Sequence, residues 1–139
     1  MLVLLDSNLF ISALISPNGA PGTIYARWLH GRFRIVTCQQ QIDEIRTACR
    51  NPKFRQILQP HHIGTILNHL YGATVWRDGL PRKHEAIDPT DSYLLDLIEA
   101  AQPDFAVTGD KRSGLLQIDK LGRTKILNAA DFLAQILPS

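Results

Sequence analysis

Four apolar residues, Leu2–Leu5, run directly into a carboxylate, Asp6, and then into Leu9, Phe10, Ala13 and Leu14 at helical spacing. A short apolar run without polar alternation is the pattern of a strand covered on both faces, as in a parallel sheet. The pattern predicts a strand, an acid at its carboxyl end, and a helix starting near position seven. The opening lacks the basic leader of a secretion signal, so it is expected to be a first strand. No apolar run approaches the roughly 18 residues of a membrane span.

The rest of the chain repeats this alternation. Thr23–Gly31 reads as a helix after the loop Ser16–Pro21, and Phe33–Cys38 as a second strand. Gln40–Arg50 has Ile42, Ile45, Ala48 and Cys49 at spacings of three and four, and Asn51-Pro52 breaks it. Lys53–Leu58 and His62–Tyr71 are helical stretches, Ala73–Trp76 a short strand and Asp78–Pro89 a loop. Asp91–Ala101 is the clearest helix, followed by the strands Phe105–Thr108 and Lys125–Leu127. A closing helix, Ala129–Leu137, is expected to be capped by Asn128. Strands alternating with helices predict an α/β fold with a central, mostly parallel sheet of about five strands. With 139 residues, 45% of them hydrophobic and 20% charged, residues 1–139 suit one globular domain.

Charge is distributed unevenly. Asp6 is the only acid before Asp43, and Ile45–Arg77 contains none, although Arg46, Arg50, Lys53, Arg55 and Arg77 fall there. In open parallel sheets, ligands bind beyond the carboxyl ends of the strands. Asp6 and Asp110 follow strands at that edge, while Glu44 and Asp91 fall in the first turns of helices. Four carboxylates converging on one rim would repel one another unless a cation neutralised them. A hard divalent ion, Mg²⁺ or Mn²⁺, suits such an oxygen set. Each acid also has a purely structural explanation, because aspartate near a helix N-terminus is a favourable cap. Cys38 and Cys49 lack a metal-ligand spacing and are expected to be buried small hydrophobes of a cytoplasmic protein.

At these residues the chain resembles the PIN-domain family, in particular the VapC-like toxins of toxin–antitoxin pairs. Leu4-Leu5-Asp6-Ser7-Asn8-Leu9-Phe10-Ile11-Ser12-Ala13 is similar to the family's first block, and Ile42-Asp43-Glu44-Ile45 with Asn51-Pro52-Lys53-Phe54 to its second. Asp88-Pro89-Thr90-Asp91-Ser92-Tyr93-Leu94 resembles the third, and Val107-Thr108-Gly109-Asp110-Lys111 the fourth. The resemblance covers nearly the whole chain, with the blocks in the family's order and at similar spacing. It implies a three-layer α/β/α sandwich and a metal-dependent ribonuclease whose catalytic and metal-binding acids are Asp6, Glu44, Asp91 and Asp110. Asn8, Asp88 and Thr108 would support them.

The resemblance further implies one or two Mg²⁺ or Mn²⁺ ions, an RNA substrate, a cognate antitoxin and a homodimer. One departure is Arg112, where many relatives carry another acid; it would weaken or relocate a second ion. Lys111 is a candidate for steadying phosphate charge, or an ordinary exposed lysine. Arg46, Arg50, Lys53 and Arg55 could contact RNA phosphates, or form a solvated face or an antitoxin contact. His61, His62 and His69 lack the cysteine or acid that would complete a zinc site, and read as surface residues. Trp28, Tyr25 and Ile24 read as core or dimer contacts. A phosphatase of the haloacid-dehalogenase type also places an aspartate after its first strand, but normally has a second acid where this chain has Asn8. A non-catalytic PIN-like module that binds RNA or a partner is the other alternative.

Overall fold

A computed structural model of the chain describes residues 1–80, 82, 92–109 and 115–138. The first strand, β1 (Leu2–Leu5), leads through Asp6 into α1 (Ser7–Ile15), as the opening pattern predicts. α2 (Ala20–Leu29), β2 (Arg34–Thr37), α3 (Gln39–Cys49), α4 (Pro52–Arg55), α5 (Pro60–Ala73) and β3 (Thr74–Trp76) follow. The remaining described elements are α6 (Ser92–Ala101), β4 (Phe105–Thr108), α7 (Leu115–Ile118), β5 (Lys120–Leu121), β6 (Thr124–Asn128) and α8 (Ala129–Gln135).

The strands form one sheet in the order β3-β2-β1-β4-β6-β5. All pairings are parallel except β5 with β6. The sheet therefore has one strand more than the five expected. Gly122 takes φ +59° in the two-residue turn between β5 and β6, a left-handed conformation that glycine reaches without strain. A two-residue strand is too short to leave a periodic signal in sequence, which is why β5 escapes it.

Alternate residues of β1 feed two cores. Val3 and Leu5 pack with Phe10, Ile24, Trp28 and Ile35 beneath the α1, α2, α3, α5 and α8 layer. Leu4 packs with Val36, Leu94, Leu97, Ile98 and Ile126 on the α6 side. Burial on both faces is the physical reason for the unbroken apolar run. Ile24, Trp28 and both cysteines are buried, as expected.

Local signals also set several boundaries. α2 starts at Ala20, three residues before the expected Thr23, because Pro21 tolerates the first turn of a helix. Lys53–Leu58 contracts to the single turn of α4, capped by the Asn51 side chain on the Lys53 N–H. Asn128 caps α8 by accepting from the Asp131 N–H at 2.7 Å, as predicted. Most of the loop expected over Asp78–Pro89 lies outside the described residues. No described helix is long and apolar enough to cross a membrane.

Candidate active site

The crossovers from β1 run in opposite directions, toward β2 on one side and from β4 on the other. The carboxyl ends of β1 and β4 thus border the switch point of the sheet, where an open α/β sheet leaves its ligand crevice. Asp6 sits there at the first residue past β1 and is only 3% exposed. Its N–H donates to the Val107 carbonyl of β4 at 2.9 Å, continuing the ladder for one residue.

Among the described residues, two groups donate to the Asp6 carboxylate. Oδ2 accepts from Thr108 Oγ1 at 2.9 Å, and Oδ1 accepts from the Asn8 N–H at 3.3 Å. The second contact caps α1, so the structural explanation for Asp6 holds. It does not account for the first contact, which comes from a buried threonine 102 residues away. Thr108 acts directly on the acid, whereas Asn8 contributes its backbone N–H and leaves its side chain exposed.

Glu44 reaches the same rim from α3. Its Oε1 accepts from the Tyr93 hydroxyl at 3.1 Å. The Tyr93 oxygen lies 3.2 Å from Ser7 Oγ. Tyrosine has one hydroxyl proton and spends it on Glu44, so the serine hydroxyl donates to Tyr93. Glu44 is thereby joined to the residue after Asp6 through one buried phenol. Burial pushes the Tyr93 pKa far above the usual tyrosine range, and the Glu44 charge raises it further. The phenol stays protonated and remains a donor.

A second buried contact fixes α3 itself. Gln41 donates from Nε2 to the Leu5 carbonyl at 2.6 Å and accepts from Thr37 Oγ1 at 2.5 Å. It ties the last residues of β1 and β2 to the first turn of α3, one turn before Glu44. Ser7, Thr37, Gln41 and Tyr93 are positioning residues that the sequence reading missed. A polar side chain at an otherwise apolar position near the rim was the available signal, since buried hydroxyls and amides need partners. Asp96, three residues after Tyr93 on α6, is a further buried carboxylate that the reading did not single out.

Asp88, Asp91, Asp110 and Lys111 lie outside the described residues, as does Arg112. Their described sequence neighbours include Ser92, the first residue of α6, and Gly109, which follows β4. Among the described residues no group of three or more His, Cys, Asp or Glu could hold a metal ion. What the described part supplies is a pair of carboxylates, Asp6 and Glu44, each oriented by a hydroxyl. This all-oxygen chemistry fits a hard divalent ion and not a soft one.

The matching family model is that of the PIN domain, and it spans residues 2–112. The chain belongs to the PIN-domain family. PIN domains are generally nucleases and typically use divalent metal ions. A protein of Methanocaldococcus jannaschii whose name says only that it is uncharacterized is 41% identical over 110 residues, covering 78% of this chain and 70% of that protein. No solved structure matches the chain at a significant level.

The remaining candidates of the sequence reading are the basic residues and the histidines. Arg46, Arg50, Lys53 and Arg55 are all exposed, the first two four residues apart on or just past α3 and the others on α4. The Arg46 guanidinium lies 5.9 Å from the Tyr71 ring centroid, and the Lys53 ammonium 5.7 Å from that of Phe54. His61 and His62 are exposed. His69 is instead half-buried, with Nδ1 2.5 Å from the Tyr25 hydroxyl, and burial pushes the Tyr25 pKa up to about 12.

Proposed function

We propose that this PIN domain, residues 1–139 as one unit, is a Mg²⁺- or Mn²⁺-dependent ribonuclease and the toxin of a type II toxin–antitoxin pair. The observation that carries the reading is the buried Asp6 carboxylate at the switch point of the sheet, oriented by Thr108 from the neighbouring strand. A cap alone would be satisfied by the Asn8 N–H. Burying a charged carboxylate and aiming it across two strands has a cost that a cap does not require.

Asp6, Glu44, Asp91 and Asp110 would hold one or two ions. Bound there, a divalent ion supplies charge neutralisation and acidifies a water. Thr108 and the Asn8 N–H orient the Asp6 carboxylate, and Tyr93 does the same for Glu44. One of the carboxylates would take a proton as water adds to phosphorus, and the oxygen of the broken backbone P–O bond would leave with a proton drawn from water. Lys111 steadies the phosphate charge, and Arg46, Arg50, Lys53 and Arg55 contribute contacts that weaken with salt. Asp88 supports Asp91. The toxin role, a cognate antitoxin, a homodimer and a cytoplasmic location follow from the resemblance to VapC-like toxins.

The test is cleavage of a panel of single-stranded and structured RNAs with Mg²⁺, Mn²⁺ or EDTA, with Asp6→Asn run alongside. Cleavage that needs both the metal and Asp6 supports the ribonuclease. RNA bound without cleavage assigns the non-catalytic binding module instead. Harmless expression of soluble, active protein without a partner counts against the toxin role.

A further inference from the structure

The amino end of the sheet, opposite Asp6, carries an open cleft of about 600 Å³ lined by Met1, Asp104, Phe105, Lys120, Arg123 and Lys125. Strand register brings three of these into one row. Lys120 of β5 is the cross-strand partner of Lys125 of β6, which pairs in turn with Phe105 of β4. Residues paired in this way share a face of the sheet, and Phe105 meets Phe132 of α8 there. The Ile126 N–H donates to the Asp119 carbonyl, so the ladder bonds flank the lysines. Lys120 and Lys125 are therefore a non-hydrogen-bonded pair, the arrangement that brings side chains closest.

Like charges directly opposite one another destabilise a sheet. Among the described residues neither lysine has an ion-pair partner. A lysine on an edge strand deters pairing with another sheet, which accounts for Lys120. It does not account for Lys125, because β6 is interior, between β4 and β5. Arg123, in the turn between β5 and β6, brings a third cation to the cleft. Its guanidinium meets Asp104 Oδ1, while Asp104 Oδ2 accepts from the Leu2 N–H at 2.8 Å. The arginine is thereby oriented, and one of its nitrogens is engaged.

We infer that this cleft binds the dianionic phosphate group of a small ligand, at a site separate from the carboxylate rim. Lys120, Arg123 and Lys125 against Asp104 leave two net positive charges, which match a phosphate monoester. Arginine recognises phosphate through its planar fork and lysine as a point charge. Met1 and Phe105 supply an apolar wall for the rest of a ligand, and the volume falls within the roughly 300–1,000 Å³ of small-molecule sites. A passing RNA strand fits less well. Phe105 is level with Val3, so Asp6 lies three residues, about 10 Å, further along the sheet. Between Lys125 and the carboxyl end of β6, Ile126 and Leu127 are buried. That strand offers no basic track of the kind that follows a nucleic-acid backbone.

The test is calorimetric titration of the full chain with AMP, inorganic phosphate and adenosine, in EDTA and at about pH 7.5, above the second phosphate pKa. AMP should bind once per chain, and adenosine should not bind. Lys120→Gln and Lys125→Gln should each weaken AMP about tenfold, the loss of one charge-assisted hydrogen bond. Arg50→Gln removes an exposed cation elsewhere and should leave AMP affinity unchanged. Each lysine variant also relieves the like-charge contact, so it should melt no lower than the unsubstituted chain; weaker binding is then not a folding loss. AMP held more tightly than phosphate assigns the cleft to a nucleotide, and equal affinities assign it to free phosphate. Failure of both AMP and phosphate to bind overturns the inference, as does AMP affinity unchanged in both lysine variants. Displacement of AMP by an RNA with hydroxyl ends also overturns it, and makes the cleft an RNA contact.

Discussion

Thr108 Oγ1 donates to Asp6 Oδ2 at 2.9 Å, joining the last residue of β4 to the acid that follows β1. Both residues are buried, and 102 positions separate them in sequence. The contact leaves Oδ1 to the α1 cap, so each carboxylate oxygen meets a donor of its own. Thr108→Val keeps the shape and removes the donor. The expected result is a loss of about 1–2 kcal/mol in urea denaturation and metal-dependent cleavage lowered about tenfold. Asp6→Asn should abolish cleavage while the fold persists, because asparagine caps helices as well as aspartate does. Matched circular dichroism spectra and melting curves check the second half of that expectation.

Tyr93 is the one link between Glu44 and Ser7 visible among the described residues. Tyr93→Phe removes a hydroxyl from a buried place and leaves both groups short of a partner. Stability should fall by about 1–3 kcal/mol. Cleavage should fall in kcat more than in KM if Glu44 is held for the chemical step. An unchanged kcat would place Glu44 outside it.

Gly22 is the first-turn residue at which α2 meets the preceding loop. A Cβ there would lie 2.1 Å from the Pro17 carbonyl oxygen, a backbone atom that cannot step aside alone. Gly22→Ala should cost about 1–3 kcal/mol by overpacking, read as a lower midpoint in urea denaturation. The atoms nearest that Cβ all belong to Pro17, so residual folded protein is expected to keep the metal requirement proposed above.

At the amino ends of β1 and β4, Asp104 accepts from the Leu2 N–H at 2.8 Å and pairs with Arg123. The Leu2 N–H and the Arg123 charge hold its carboxyl below the usual range, against a smaller opposing effect of burial. A depressed folded pKa means stability that is present above the unfolded value of about 3.9 and lost as pH falls through the folded value. Denaturation from pH 6 to pH 2 should therefore show a steeper acid loss in the unsubstituted chain than in Asp104→Asn. Equal slopes would show that Asp104 contributes nothing to the acid limb.

Much of this architecture was legible before any coordinates, because its signals are local. The run Leu2–Leu5, the cap at Asn128 and the break at Asn51-Pro52 each act over a few residues, through burial, a side-chain hydrogen bond or a missing N–H. They determined the α/β class, most element boundaries, and the position of Asp6 at a carboxyl end. The same pattern singled out Glu44, Asp91 and Asp110 as companions, and the family resemblance gave all four a metal-binding role; Asp91 and Asp110 fall outside the described residues.

What the sequence could not determine is which strands become neighbours. A period of two or of 3.6 says which face of an element is apolar, and nothing about what covers it. The order β3-β2-β1-β4-β6-β5 is decided when distant apolar faces find a common core and the backbone ladders close between them. Only then does Thr108 meet Asp6, Tyr93 meet Glu44, and Tyr71 stack on Trp76. The acids were written in the chain; the donors that aim them exist only in the folded sheet, because a hydrogen bond across a strand crossover depends on topology and not on spacing.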